Sequence, residues 1–350
     1  MLAIIADDLT GALDTAAPFA SRGLHCEVAL KVDAIRQAVS LNPEVLSIDI
    51  GSRELDPRAA QDAMAAALAL LPPGTILFKK IDSRLKGHIA AELDAMPLRS
   101  ALVAPAIPAF GRVVKEGHVQ GFGVDTPHSI AEVLGRHAAH ATIPDTVSEE
   151  EMAAALETAQ QSGVDILIGA RGLAEALARQ WTDNAPPRFA GIPDGPGLFV
   201  IGSRDPITLA QIEMLREACD LRHLPAPNGQ LVEEALPEAG RLTLVQAVSA
   251  DDPATPSEVA HRLAESVCPA LTGAARTLLL SGGATAEAVL EKMGINHFRL
   301  AGECVPGLGL AHAQGHCIIA KSGGFGQPHT LKEIAGLILH KRDDRWPRRS

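Results

Sequence analysis

Short apolar runs alternate with longer amphipathic or alanine-rich stretches along most of the chain. In the first half, Leu2–Ala6, His25–Leu30, Val45–Ile50, Thr75–Lys79, Ala101–Ile107 and Asp165–Gly169 read as buried strands. Between them Gly11–Ala20, Pro57–Leu71, Gly87–Met96, Glu149–Ser162 and Leu173–Trp181 read as helices. Thr10 is placed to cap the first of these, and Pro57 suits the opening turn of the second. The second half repeats the pattern. Leu198–Ile201, Leu242–Val248, Thr277–Leu280 and Cys317–Ala320 read as strands, and Ile207–Ala218, Pro256–Val267 and Leu331–Leu339 as helices. Such alternation predicts βαβ units and a mostly parallel sheet.

Residues 183–197, DNAPPRFAGIPDGPG, hold four prolines and three glycines and read as a linker. The expected fold class is therefore α/β with two domains, 1–182 and 198–350, each a mostly parallel sheet flanked by helices. The tail, KRDDRWPRRS, is charged and reads as a frayed end.

Composition narrows the ligands. The chain has 350 residues, 47% of them hydrophobic, enough for two cores. A net charge of −11 argues against nucleic acid or an anionic membrane as partner. An anionic ligand must then be held by local clusters of Lys and Arg. No uncharged apolar run is long enough for a membrane span, and the first residues lead straight into a strand without a basic leader, so a cytoplasmic protein is expected. The five cysteines, Cys26, Cys219, Cys268, Cys304 and Cys317, are scattered without a CxxC, which fits free thiols in a reducing compartment.

Chemistry collects where predicted strands end, the edge at which open α/β sheets bind ligands. Asp7 and Asp8 follow the first strand. They can serve as a general base, as acceptors for sugar hydroxyls or as metal ligands, or they can merely cap the helix. Ser52 and Arg53 follow the third strand. Lys80-Ile81-Asp82-Ser83-Arg84-Leu85-Lys86-Gly87 follows the fourth and sets three cations beside one carboxylate, either an anion cradle or a solvated basic turn. Arg112 offers another anion contact or a surface charge, and His88 and His118 lie near these loops.

In the second half, two apolar strands run into glycine-rich loops. One is Ser281-Gly282-Gly283-Ala284-Thr285 and the other Lys321-Ser322-Gly323-Gly324-Phe325-Gly326. Glycine lets backbone amides approach a phosphate, and a following helix N-terminus faces it. Neither loop is a P-loop, and GxGxxG, HExxH and GxSxG are absent. A haloacid-dehalogenase-type phosphatase needs Asp-x-Asp, and Leu9 breaks that pattern.

The ordered motifs IADDLTGALD, KKIDSRLKG, PAIPAFGR, GSRDPITLAQI, SGGATAEAVL, GECVPGLGL and KSGGFG together resemble the four-carbon acid sugar kinases, from about Leu2 to Leu339. The resemblance implies an N-terminal acid-sugar-binding domain, a C-terminal nucleotide-binding domain and an active site in the cleft between them. It implies ATP-dependent phosphorylation of threonate, erythronate or an oxo-tetronate at the terminal hydroxyl. On that reading Asp8, with Asp7 beside it, holds and deprotonates the acceptor, and Arg53, Lys80, Asp82, Ser83, Arg84, Lys86 and Arg112 bind the substrate. Ser203, Gly282, Gly283, Ala284, Thr285, Gly323 and Gly324 cradle ATP, and Lys321 reaches toward its phosphates. Phosphoryl transfer brings Mg²⁺, whose ligands stay unassigned. Homo-oligomerisation is left open. The chain departs from the family pattern in reading Arg84 for the usual Thr, Lys86 for the usual Arg, Val113-Val114 for Thr-Thr and Ala170-Arg171 for Gly-Ser. A kinase for another small hydroxy acid, or a non-catalytic sensor of sugar acid and nucleotide, remains an alternative.

Overall fold

The computed structural model describes residues 1–232 and 242–339, and the charged tail lies outside the described residues. The chain divides into two compact units, one of Met1–Arg188 with His297–Gly302, the other of Phe189–Asn296 with the chain from Glu303 onward. The proline-rich segment 183–197 is thus shared between them. Its Ile192 is buried in the core of the second unit, beside Phe199, Ile201, Leu244 and Ile334.

Strands of the first unit are β1 (Leu2–Ala6), β2 (Cys26–Ala29), β3 (Val45–Asp49), β4 (Ile76–Lys80), β5 (Ala101–Ala104), β6 (Arg112–Lys115), β7 (His118–Gly121), β8 (Val124–Ser129), β9 (Ala141–Thr142) and β10 (Ile166–Gly169). Its helices are α1 (Leu9–Ala20), α2 (Ile35–Ser40), α3 (Pro57–Leu68), α4 (Ile89–Leu93), α5 (Ile130–Leu134), α6 (Glu149–Gln161) and α7 (Arg171–Trp181). The main sheet runs β2-β3-β1-β4-β10-β5-β9, and its pairs are parallel. β1 lies between β3 and β4, in register Leu2 with Val45 and Ile76. β1 is buried along its whole length because helices cover both faces of a parallel sheet.

Two expectations need correction. Asp8, not Thr10, caps α1: Asp8 has extended backbone and its carboxylate accepts from the Gly11 amide. The carboxylate at the extended Asp8 is placed to satisfy an orphan helix amide, whereas Thr10, two residues further on, already lies inside the first turn. The helix expected over Gly87–Met96 is only the five-residue α4, so its dipole adds little to the loop before it.

A small antiparallel sheet, β6-β7-β8, was not expected. Its first turn is Glu116-Gly117, both at positive φ, the geometry that a two-residue hairpin demands.

The second unit holds β11 (Gly197–Ile201), β12 (Leu221–Pro227), β13 (Leu242–Val248), β14 (Thr277–Ser281), β15 (His297–Val305), β16 (Leu308–Ala313) and β17 (His316–Lys321). The part of β15 up to Gly302 belongs to the first unit and pairs antiparallel with β2. Its helices are α8 (Pro206–Ala218), α9 (Pro256–Val267), α10 (Ala270–Ala274), α11 (Gly283–Lys292) and α12 (Thr330–Leu339). The strand order is β12-β13-β11-β14-β17-β16-β15, parallel from β12 to β17 and antiparallel from β17 to β16. In each unit, three adjacent parallel strands therefore send the loops singled out above from one sheet edge.

Candidate functional site

In the first unit those strands are β3, β1 and β4. Arg53 grips Asp7 with two hydrogen bonds, one from Nε and one from an Nη at 2.8 Å. The same guanidinium lies 3.6 Å from Asp8 and 4.0 Å from Asp82. Three carboxylates that would repel one another are thus held by one cation. Burial of Asp7 works to raise its carboxyl, but the Arg53 hydrogen bond and the charges of Lys79, Arg53 and Lys80 win and hold it below the usual range. Burial likewise opposes the charge on Arg53, and Asp7, Asp8 and Asp82 outweigh it and raise the guanidinium.

Asp8 is placed differently. One carboxylate oxygen takes the Gly11 amide at 2.9 Å and the other the Thr10 hydroxyl at 3.1 Å. Its side chain is 21% exposed, against 3% for Asp7. Each of its oxygens keeps acceptor capacity on an accessible side. Gly11 has no room for a side chain: a Cβ there would sit 2.5 Å from Asp8 Oδ1 and 2.8 Å from Lys80 Nζ. Lys80 is 6% exposed and its ammonium makes no hydrogen bond or ion pair among the described residues. An almost buried cation without a partner is costly unless a ligand supplies one.

The loop after β4 folds on Asp82, whose carboxylate accepts from the amides of Arg84 at 2.8 Å and Lys86 at 3.4 Å. Arg84 and Lys86 are exposed, and their side chains make no ion pair among the described residues. Ser83 is buried and accepts from Arg112 at 2.6 Å, while Arg112 also donates to the Phe122 carbonyl at 3.0 and 2.8 Å. Burial and the charge of Arg84 both push the Arg112 guanidinium down, with Asp82 opposing. Two like charges thus face one region, an arrangement that suits an anion. His118 sits aside, its Nδ1 2.7 Å from the Glu116 carbonyl.

In the second unit β11, β14 and β17 converge. The amides of Gly202 and Ser203 donate to the Ser281 carbonyl at 3.0 and 3.3 Å, and the Gly282 amide to that of Lys321 at 2.9 Å. Gly283, Ala284 and Thr285 form the first turn of α11, which no side chain caps, so its leading amides are free for an anion. Gly323 lies against Ser203 so closely that a Cβ there would overlap the serine hydroxyl and come within 3.2 Å of Asp205. Gly324 faces Asp205, which caps α8.

Lys321 is fully buried and does not extend into the open. Its ammonium donates to Thr208 Oγ1 at 3.0 Å and to the carbonyls of Ser322, Gly323 and Phe325 at 2.9, 3.3 and 3.1 Å. Those carbonyls are thus turned inward, toward the ammonium. Burial lowers this ammonium to about 8 despite the opposing charge of Asp205. Thr208 and Gln211 of α8, both missed in the sequence, support the same loop through Gly323, Phe325 and Gln327.

Residues 2–129 match the family model described as a sugar-binding N-terminal domain, and residues 198–331 that described as a nucleotide-binding C-terminal domain. The chain is 30% identical to a D-threonate kinase of Cupriavidus necator, across 94% of this chain and 95% of that protein. It is 28% identical to a D-threonate kinase of Bordetella bronchiseptica, across 97% and 98%. The fold matches the crystal structure of a Salmonella typhimurium LT2 protein with a TM-score of 0.72 at 18% identity, covering 95% of this chain and 98% of that one.

Lys321 generates a stability prediction. A lysine lowered on folding releases its proton earlier in the folded state than in the unfolded one. Its burial penalty is therefore full below pH 8 and is relieved as pH rises from about 8 toward the ordinary 10.5. The stability of wild type relative to Lys321→Met should rise over that window by roughly 1.4 kcal/mol per pH unit. Denaturant unfolding of both proteins at pH 7, 8, 9 and 10 measures it, and a flat difference would mean an ordinary lysine.

Proposed function

The chain belongs to the four-carbon acid sugar kinase family, and from that premise we propose that it transfers the γ-phosphoryl group of ATP to a hydroxyl of a four-carbon sugar acid. D-threonate is the first candidate, because the relatives matched over nearly their whole length bear that name. The observation that carries the reading is Lys80, an almost buried ammonium left without a partner beside the accessible carboxylate of Asp8.

Asp8 accepts the proton of the attacking hydroxyl. Its two local donors, Gly11 and Thr10, fix the carboxylate and leave lone pairs for the substrate. Asp7 is committed to Arg53, so its part is to hold that guanidinium against Asp8 and Asp82. Lys80 holds a substrate oxygen. Arg84, Lys86 and Arg112, with Ser83 beneath them, receive the acid's carboxylate. Arg84 can pair with it through two parallel bonds and Lys86 as a point charge.

On the nucleotide side Ser203, Gly282, the free amides from Gly283 to Thr285, and Gly323 with Gly324 cradle the phosphates, and Lys321 shapes the last of these loops. Among the described residues no three metal-ligating side chains converge. That fits a Mg²⁺ carried mainly by ATP phosphates and water, with Asp205 as a carboxylate at the glycine loops. Bound there, the metal would neutralise phosphate charge.

Three outcomes test this. Asp8→Asn should fold normally and lose roughly 10²–10⁴-fold in kcat, as removal of a general base does. Normal turnover in that variant would reduce Asp8 to a helix cap. Gly323→Ala should raise KM for ATP about tenfold, the equivalent of 1.4 kcal/mol, with KM for the acid unchanged. The coupled ADP-release assay should show threonate and erythronate far ahead of threitol and erythritol, by as much as roughly 10⁴-fold. Arg84→Ala and Lys86→Ala should erode that preference. Losses that are equal on acid and polyol would instead aim the loop at ATP phosphates.

A further inference from the structure

Beneath the Asp7–Arg53–Asp8 cluster lies a second set of charges that the transfer as read above does not use. Lys79 precedes Lys80 on β4, so the two side chains leave the strand on opposite faces. Lys79 and Glu92 of α4 are 0% and 1% exposed, and they pair at 2.8 Å. The Lys79 ammonium also donates to the carbonyl of Lys80 at 2.8 Å and to that of Ile5 at 3.4 Å. The other oxygen of Glu92 accepts from the Ser52 hydroxyl. One buried pair therefore touches three chain segments. Each contact adjoins the cluster: Ile5 is two residues before Asp7, Ser52 directly precedes Arg53, and Lys80 is itself a member.

A buried ion pair is weak evidence for stability, because desolvation consumes most of its attraction, and replacing both partners with neutral groups is often tolerated. What it can supply is fixed geometry. We propose that Lys79 and Glu92 are positioning residues for phosphoryl transfer. They pin the ends of β1, β3 and β4 so that Arg53 stays on Asp7 and Lys80 stays unpaired beside Asp8. The inference rests on reading this sheet edge as the acceptor site.

The pair also bears on the charge of the cluster. The charged groups around Asp7 are Asp8 from its own strand end, Asp49 and Arg53 from β3 and its loop, Lys79, Lys80 and Asp82 from β4 and its loop, and Glu92 from α4 through Lys79. Lys79 is one of the cations that hold the Asp7 carboxyl down. Removing it raises the pH at which Asp7 loses its hold on Arg53.

The test is the full-length double variant Lys79→Met/Glu92→Gln, which removes both charges and leaves Ser52 an acceptor. Glu92→Gln alone and Asp8→Asn are assayed beside it, with circular dichroism and melting curves as controls for folding. The double variant should fold, lose about 100-fold in kcat with KM for ATP unchanged, and show the acidic limb of its kcat profile at higher pH. Glu92→Gln, isosteric and still carrying Lys79, should lose kcat without that upward shift. Wild-type kcat and an unmoved acidic limb in a folded double variant, with Asp8→Asn inactive, would make the pair purely structural and overturn this inference alone. Should the double variant fail to fold, wild-type kcat in Glu92→Gln would overturn it in the same way. Full turnover in Asp8→Asn would overturn the acceptor-site reading and this inference with it.

Discussion

The guanidinium of Arg53 is the constraint on which the first unit's edge depends. Asp7 and Asp8 are consecutive, and Asp82 reaches toward them from the next strand. Without a shared cation these carboxylates would repel one another. Arg53 holds all three at 4.0 Å or less, and the two hydrogen bonds it donates to Asp7 fix that carboxylate's direction as well as its charge. The consequence is a division of labour within an adjacent pair. Asp7 is consumed in building the site, which leaves Asp8 the accessible carboxylate.

The second unit solves a related problem with a lysine. A loop of Ser-Gly-Gly-Phe-Gly has one large side chain, Phe325, packed against the core, and its glycine backbone loses much entropy when ordered. Lys321 supplies three anchor points on the loop from inside and a fourth bond to Thr208, and Thr208 and Gln211 add three more from α8. In both units, then, a conspicuous cation is spent on architecture. Groups that look less remarkable in a sequence, such as the amides at the start of α11 or the second lysine of a Lys-Lys pair, are the ones left without a side-chain partner among the described residues.

This is also why the sequence was legible in some respects and opaque in others. The βα alternation and the three polar strand ends of each unit were readable, because burial on both faces makes parallel strands nearly continuous apolar runs. The convergence of those ends needed strand order, which no local pattern carries. The sheet β6-β7-β8 escaped because its strands are short and largely polar, and β16, apolar and buried, escaped because its pairing with the legible β17 depends on a tight turn. Their signals were the dipeptides Glu116-Gly117 and Gln314-Gly315, all four residues at positive φ. The cap on α1 falls on Asp8 and not on Thr10, because a carboxylate at a strand end can serve both as a helix start and as chemistry, and the sequence pattern leaves the two open together. Least legible were Lys79, Lys80 and Lys321. Hydropathy puts lysine outside, and nothing local distinguishes a lysine that ends a strand in the interior from one that ends it in water.

That last point bears on how a chain of net charge −11 handles two anionic ligands. Its field at a distance repels them, so attraction has to come from charges close to the ligand and shielded from water. Burial does this twice over. It weakens dielectric screening around Lys80, Arg112 and the free amides of α11, and it makes Lys80, which has no hydrogen bond or ion pair among the described residues, costly until a ligand supplies one. The ligand then gains more from entering than an exposed basic patch would offer, and it gains only if it brings oxygens to the right places. Arg84 and Lys86 stand at the exposed end of the same loop, where salt screens them most. On the proposed reading they meet the substrate's charge, while the buried groups beneath them meet its shape.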